Sequence, residues 1–319
     1  MPARRRDLAR HTVEVAAPAG VVYGLLADAP RWPVLLPHCV HAERMDFDGR
    51  REELRLWEHR RGRVRSLIAR RVLQPGRRRI DFWLHPAPVP EHAPVPEHAP
   101  VAGSWSVRPA GEECCLLTLQ QERPPGQAPG VLEARVLEEL RAVRASAELW
   151  DRLDELLLAF EDEVEVAGPQ ELVYDFLYRI ADWARTVPHV DEVEAGEDEP
   201  GVQHVVLHTV VPHTGRPVAL ESVRLCFPAA GRIVHRQTAP SGLLAAYGGE
   251  WSLQPGERGL RVVCTHRVLL RPGAVETVLG PGALLVDARR QVREWLGGAG
   301  SEVLGLARWH AESAVRRLR

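Results

Sequence analysis

Residues 12–16 alternate apolar and polar positions, the period of a strand with one buried face. Pro18 suits the opening turn of a helix over 20–27, and a second short helix is expected over 30–36. Residues 38–47, 53–58, 63–73 and 79–84 read as strands, with turn signals at Asp48-Gly49 and Gly62. Two more strands follow at 103–107 and 115–121. From 131 to 160 the period changes. Leu132, Val136, Leu140, Val143, Ala147, Trp150, Leu153 and Leu157 recur at three and four, the apolar stripe of one long helix made for packing on a sheet.

The second half repeats this order. A strand at 164–167 precedes helices at 170–180 and 182–187. Strands follow at 189–195, 203–211, 219–227, 232–238, 249–253 and 260–270, then a helix over 282–317. Gly297-Gly298-Ala299-Gly300 is expected to weaken or kink that helix, since an internal glycine costs about 1 kcal/mol against alanine. The two halves also share letters. Trp32 to His38 reads W-P-V-L-L-P-H and Trp183 to His189 reads W-A-R-T-V-P-H, at an offset of 151 (183 − 32). The same offset aligns Val13-Glu14-Val15-Ala16 with Val164-Glu165-Val166-Ala167, and Tyr23 with Tyr174. A repeat of this length is a duplicated domain, not a solenoid. Domains over 1–160 and 161–319 follow, each long enough to bury its own core. The expected fold is α+β: two tandem helix-grip domains, each a curved antiparallel sheet around a long C-terminal helix with an interior cavity.

Composition narrows the chemistry. The net charge of −2 supplies no basic field for nucleic acid. All 41 basic residues are arginine, so no lysine can form a Schiff base. The five cysteines have no zinc spacing and are expected as free thiols in a cytoplasmic protein. No apolar run has the length of a membrane span, and no apolar signal core follows the basic N-terminus. His204, His208 and His213 match no zinc pattern, so solvent-facing strand positions are expected and no metal. The hexapeptide A-P-V-P-E-H occurs twice over 87–98; its prolines exclude helix and central strand, leaving an extended loop or a lid.

Trp32-Pro33-x3-Pro37, Arg70-Arg71-Val72-Leu73-Gln74-Pro75, Glu221-Ser222-Val223-Arg224-Leu225-Cys226-Phe227-Pro228, His235-Arg236-Gln237-Thr238 and Gly249-Glu250-Trp251 together resemble the di-domain aromatase/cyclases of bacterial type II polyketide synthases. The resemblance covers nearly the whole chain. It implies a cavity that holds a poly-β-ketone tethered to an acyl carrier protein. It further implies aldol closure of the first ring between C7 and C12, then dehydration to an aromatic, with no cofactor. The family's pocket arginine falls on Arg224, with Ser222 two residues before it and therefore on the same strand face. In the first half the arginine falls on Arg71, but Ala69 and Leu67 stand where the family has serine and tryptophan.

Aldol chemistry needs oxyanion stabilisation and proton transfer, which arginine, hydroxyl and imidazole groups supply. Arg224, Ser222, His189, Tyr247 and His266 are the candidate catalytic residues; Trp32, His38, Arg71, Trp183 and Trp251 are candidates for substrate binding. His38 and His189 could equally brace the corner they follow. Arg60-Arg61, Arg63, Arg65 and Arg77-Arg78-Arg79 form basic clusters on one part of the first half, a solvated surface or a landing site for the acidic carrier protein. The rival function is a non-catalytic lipid or polyketide carrier using the same cavity. Under the enzyme reading, Ala69 and Leu67 in the first half place the expected proton chemistry in the second half.

Overall fold

The computed structural model describes residues 8–87, 101–123, 128–211, 215–257 and 259–317. The chain divides into two compact units, Met1–Leu153 and Asp154–Arg319. The first contains β1 (Leu8–Val15), α1 (Ala19–Ala27), α2 (Trp32–Leu35), β2 (Cys39–Phe47), β3 (Arg51–Arg60), β4 (Arg63–Gln74), β5 (Arg79–Pro86), β6 (Val101–Pro109), β7 (Cys115–Glu122) and α3 (Pro129–Ala147). After α4 (Leu153–Leu156) the second contains β8 (Leu157–Val166), α5 (Gln170–Tyr178), α6 (Trp183–Thr186), β9 (Val190–Glu199), β10 (Val202–Val211), β11 (Arg216–Phe227), β12 (Arg232–Gln237), β13 (Leu244–Gly256), β14 (Gly259–Leu270), α7 (Val275–Leu279) and α8 (Leu285–Arg317).

Each unit is one seven-stranded antiparallel sheet, in the orders β1-β7-β6-β5-β4-β3-β2 and β8-β14-β13-β12-β11-β10-β9. The first strand of each unit pairs with its last, so the short helices of each unit cross from one edge of the sheet to the other. The long helix closes the concave face: α3 packs on β1, β7 and α1, and α8 on β8, β14 and α5. This is the expected helix-grip arrangement, twice. Among the described residues no helix is long and apolar enough to cross a membrane.

The apolar stripe of α3 is buried at Leu132, Val136, Leu140, Val143 and Ala147, and there it ends. Trp150 is 39% exposed, and the helix predicted through residue 160 stops at Ala147. Leu157 opens β8 and pairs with Leu269 of β14. The spacing of Trp150, Leu153 and Leu157 imitates a helix face, but strand pairing decides the conformation. The strand that begins the second unit therefore takes in residues 157–160, which the helical period assigned to the first domain.

The last helix departs from expectation in the other direction. α8 is a single helix from Leu285 to Arg317, with no break at its glycines. A Cβ on Gly300 would lie 3.0 Å from His266 Nε2, and one on Gly297 would overlap the Arg293 guanidinium. Gly297 and Gly300 let the helix lie close against Asp162 of β8 and His266 of β14, which is why a locally unfavourable composition is retained at those two positions. The two basic clusters do not form one surface. Arg61 and Arg63 flank the β3–β4 turn, and Arg77 follows the opposite end of β4. Twelve strand residues at about 3.3 Å each separate the two groups by about 40 Å. Residues 88–100, which hold nearly all of the hexapeptide repeat, and His213 lie outside the described residues.

Candidate functional site

The tryptophan and arginine of each repeat meet at the end of a helix. The last carbonyls of an α-helix have no intrahelical donor. In the second unit Trp183 Nε1 donates to the Phe176 carbonyl at 3.1 Å, and Arg224 donates to those of Leu177 at 2.5 Å and Tyr178 at 3.4 Å. In the first, Trp32 Nε1 donates to Leu25 at 3.1 Å, and Arg71 to Leu26 at 2.9 Å and Ala27 at 3.0 Å. Each guanidinium also lies over the indole, 4.8 Å from the Trp32 ring and 5.9 Å from the Trp183 ring. A cation at a helix C-terminus is favoured by the helix dipole as well. Both pairs therefore anchor the fold, whatever else they do.

What differs is the remaining partner. Arg71 Nη2 lies 2.5 Å from Glu52 Oε1, with both side chains almost fully buried. Burial pushes the Arg71 guanidinium down to about 10, against the pull of Glu52. At the matching place beside Arg224 stands Gln203, whose Oε1 accepts from Nη1 at 2.7 Å. Among the described residues no carboxylate touches Arg224; Glu197 connects to it through the Gln203 amide, at 3.3 Å. Burial lowers the Arg224 pKa also.

Arg224 stands at the edge of a cavity of about 140 Å³ inside the second unit. Ser222 and Leu220 share its strand face, as the spacing predicts, and all three line the cavity. His189, Tyr247, His266, Trp183 and Trp251 line it too, so every candidate named in the second half is brought to one place. Trp183 and Trp251 meet edge to face at 6.5 Å, and Trp295, Leu296 and Ala299 of α8 supply further wall. His189 reaches Glu302 of α8, Nδ1 to Oε2 at 2.6 Å, so it braces the helix while facing the cavity.

Three titratable rings cross the cavity wall in sequence. His235 Nε2 is 3.3 Å from Tyr247 Oη, and Tyr247 Oη is 3.1 Å from His266 Nδ1. His266 Nε2 lies 3.3 Å from Cys264 Sγ and 3.6 Å from Asp162 Oδ2. Asp162 is paired with Arg293 at 2.8 Å. Burial lowers both imidazoles, His235 to about 3 and His266 to about 4, so both are neutral near pH 7. Burial raises the Tyr247 hydroxyl and the Cys264 thiol well above their ordinary values, so both keep their protons. His235 and Asp162 carry no role in the sequence reading. The signal for His235 was present, however. The Pro228–Ala230 turn sets Phe227 opposite Arg232, and counting back places His235 opposite Arg224.

The strand register identifies the counterparts in the first unit. Arg71 pairs with Phe82, Phe82 with Gly103, and Gly103 with Gln121. In the second unit Arg224 pairs with His235, His235 with Gly249, and Gly249 with His266. Phe82 therefore replaces His235, Gln121 replaces His266, and Val101 stands where Tyr247 does. With Ala69 in place of Ser222, the same face of the first sheet is largely apolar, and Ala69 and Phe82 belong to its packed core. Trp32 packs against that core. His38 is buried, with Nε2 3.2 Å from Glu139 of α3.

His38, Glu58 and Glu139 place their ligand atoms within 4.8 Å of one another. Arg60 bonds both carboxylates, and Arg135 lies 3.5 Å from Glu58. The group is a matched ionic network between sheet and helix, with its acceptors already occupied by guanidinium groups. Arg60 thus belongs to this network, not to a free basic surface. His204 and His208 sit on a partly exposed strand beside Asp198 and Glu194. All five cysteines are free.

Fold and site define a two-unit helix-grip protein in which one unit carries an apolar cavity edged by acid–base groups. Residues 15–147 and 166–291 match the family described as polyketide cyclase / dehydrase and lipid transport, and the chain belongs to that family. It is 30% identical over 99% of its length to the granaticin polyketide synthase bifunctional cyclase/dehydratase of Streptomyces violaceoruber, covering 97% of that protein. It is 32% identical over 90% of its length to the actinorhodin polyketide synthase bifunctional cyclase/dehydratase of Streptomyces coelicolor, covering 91% of it. Among solved structures, the di-domain ARO/CYC BexL superposes with a TM-score of 0.84 at 32% identity, over 96% of this chain and 99% of that one. The di-domain ARO/CYC StfQ gives 0.82 at 29% identity, again over 96% and 99%.

Proposed function

We propose that the chain is a polyketide aromatase/cyclase. In this reading it receives a poly-β-ketone on an acyl carrier protein, closes the first ring between C7 and C12 by aldol condensation, and dehydrates it to an aromatic. The observation that carries the reading is the second-unit cavity, where Arg224, Ser222 and the His235–Tyr247–His266 row share a cavity lined by Trp183, Trp251 and Trp295. A cavity of about 150 Å³ accommodates a benzene ring, so about 140 Å³ suits one six-membered ring. Apolar walls fold the flexible chain until one pair of carbons meets, an entropic contribution.

Arg224 would stabilise the oxyanion as the new bond forms. Its donors already reach Leu177, Tyr178 and Gln203, so it acts as a fixed positive charge more than as a free fork of donors. Ser222 offers a hydroxyl beside it; His189, Tyr247 and His266 move protons; Trp183 and Trp251 position the chain. The first unit, with Arg71 neutralised by Glu52, would support its partner or bind chain without proton chemistry, leaving Trp32 and His38 as anchors. Exposed arginines at 61, 63 and 65 or at 77 would meet the carrier protein. Such a contact weakens with salt, because exposed charges are screened beyond about 8–10 Å. The patches lie too far apart to act together, so reversing charge at one should weaken carrier binding more than at the other. Equal losses would contradict a single docking patch. A cytoplasmic synthase complex is the setting this implies.

The test is reconstitution with a minimal type II synthase and carrier protein. The expected result is a regiospecific aromatic first ring in the presence of the chain, and a mixture of spontaneously cyclised products in its absence. Tight binding of the polyketide with an unchanged product mixture would favour the non-catalytic carrier.

A further inference from the structure

We propose that His235 is the catalytic base of the second cavity, and that Tyr247 and His266 relay the charge of the proton it accepts to Asp162. The proposal rests on the cyclase reading above and assigns the proton chemistry within it.

Four observations converge. The His235 ring lines the cavity, and it is the cross-strand neighbour of Arg224, so a carbonyl held near the guanidinium has its adjacent C–H near the imidazole. His235 Nδ1 is buried and, among the described residues, has no hydrogen-bond partner, while Nε2 faces Tyr247. A buried polar atom without a partner is costly to a fold and is expected to have a use. Glycine at 249 makes room for the ring, since a Cβ there would lie 2.9 Å from His235 Cε1. The row then leads outward. Tyr247 and His266 end on Asp162, whose partner Arg293 is 42% exposed.

Asp162 sets the direction. Its carboxylate, paired with Arg293, favours a proton on the His266 nitrogen that faces it, which is Nε2. His266 Nδ1 is then an acceptor, so Tyr247 donates to it. The Tyr247 oxygen in turn accepts from His235 Nε2–H, and His235 Nδ1 carries a lone pair. When the lone pair takes a proton from carbon, the Nε2 proton passes to Tyr247 and the Tyr247 proton to His266. One C–H bond breaks, one N–H bond forms, and the positive charge rests beside Asp162 instead of beside Arg224. In the aldol step the proton returns to the new alkoxide. In the dehydration a proton is again taken from carbon, then given to the departing hydroxide, which leaves as water. Each step ends with the relay as it began, and no oxidant or further reactant is needed.

The full-length chain labelled with ¹⁵N-histidine tests the tautomers without substrate. The expected spectrum has Nδ1 unprotonated and Nε2 protonated on both His235 and His266. A proton on His235 Nδ1 would overturn the proposal. With a β-hydroxyketone thioester of N-acetylcysteamine as probe, His235→Phe should lower the dehydration rate by about 10²–10³-fold, within the usual range for a general base. Phenylalanine stands at the matching position of the first unit, so the variant is expected to fold; His235→Gln repeats the test if it does not. An undiminished rate in either folded variant would contradict the assignment. Tyr247 and His266 are positioning residues. Tyr247→Phe should convert a bowed proton inventory, in mixtures of light and heavy water, into a straight one. An unchanged bowed inventory would remove the relay. A wild-type chain that does not turn over the probe would speak against the cyclase reading itself, while the tautomer spectrum still decides the relay.

Discussion

Arg71 Nη2 lies 2.5 Å from Glu52 Oε1, an ion pair sealed inside the first unit. The corresponding pair in the second unit is Arg224 with the neutral Gln203. Removing Arg71 leaves the buried Glu52 carboxylate with only the partly exposed Arg44, whose Nε lies 3.0 Å from Oε2, and breaking a buried ion pair typically costs about 3–5 kcal/mol. Removing Arg224 instead leaves carbonyls and an amide without donors, about 1–3 kcal/mol for each group that water does not reach. Arg71→Ala is therefore expected to destabilise the chain at least as much as Arg224→Ala in urea unfolding. Adding Glu52→Gln to Arg71→Ala should recover part of the loss. If the double variant is less stable than Arg71→Ala alone, the buried pair has been misread.

The two buried histidines predict acid sensitivity. Burial holds His235 at about 3 and His266 at about 4, while an unfolded chain's histidines titrate near about 6.5. Between those values the unfolded state binds more protons, so stability falls as pH falls through the window from about 6.5 to about 4. Thermal melts over that range should drop more steeply for the wild type than for His235→Phe, which removes one of the two groups. Parallel curves would contradict the buried neutral state of His235.

The glycines of α8 divide by what they face. A Cβ on Gly298 meets nothing within 4 Å, whereas one on Gly300 would press on His266 at 3.0 Å and approach Cys264 Sγ at 3.6 Å. Gly298→Ala is expected to stabilise by up to about 1 kcal/mol, the ordinary helical gain. Gly300→Ala should lose that gain to crowding and lower activity by displacing His266. Equal stabilisation by both, with activity retained, would show that the helix does not need its close approach.

Much of this architecture is legible in the sequence because both units repeat one local grammar. Alternation places Ser222 and Arg224 on one face, and the structure puts both on the cavity wall. The W-x4-P-H repeat marks two corners whose tryptophans bond the ends of the preceding helices. The end of α3 is not legible, since no glycine or proline interrupts residues 147–157 and only pairing with β14 makes Leu157 a strand residue. Asp162, within the acidic run Glu161-Asp162-Glu163, looks like part of a solvated face. Its meeting with His266 depends on closure of the sheet between β8 and β14, which no local pattern states. The contrast between Gln203 and Glu52 is visible in the letters only once the register shows that the two positions correspond.

In the proposed mechanism the second unit holds the chemistry and the first does not. The most direct test of this division compares Arg224→Ala with Arg71→Ala in a reconstituted synthase, at a temperature where melting shows both variants folded. Arg224→Ala is expected to lower the rate of first-ring formation by about 10²–10³-fold, the usual loss for a group that stabilises an oxyanion, and to give mainly spontaneously cyclised products. Arg71→Ala should give the regular aromatic product at a rate that follows its folded fraction. A normal product at the normal rate from Arg224→Ala, or a larger loss from Arg71→Ala, would contradict the account.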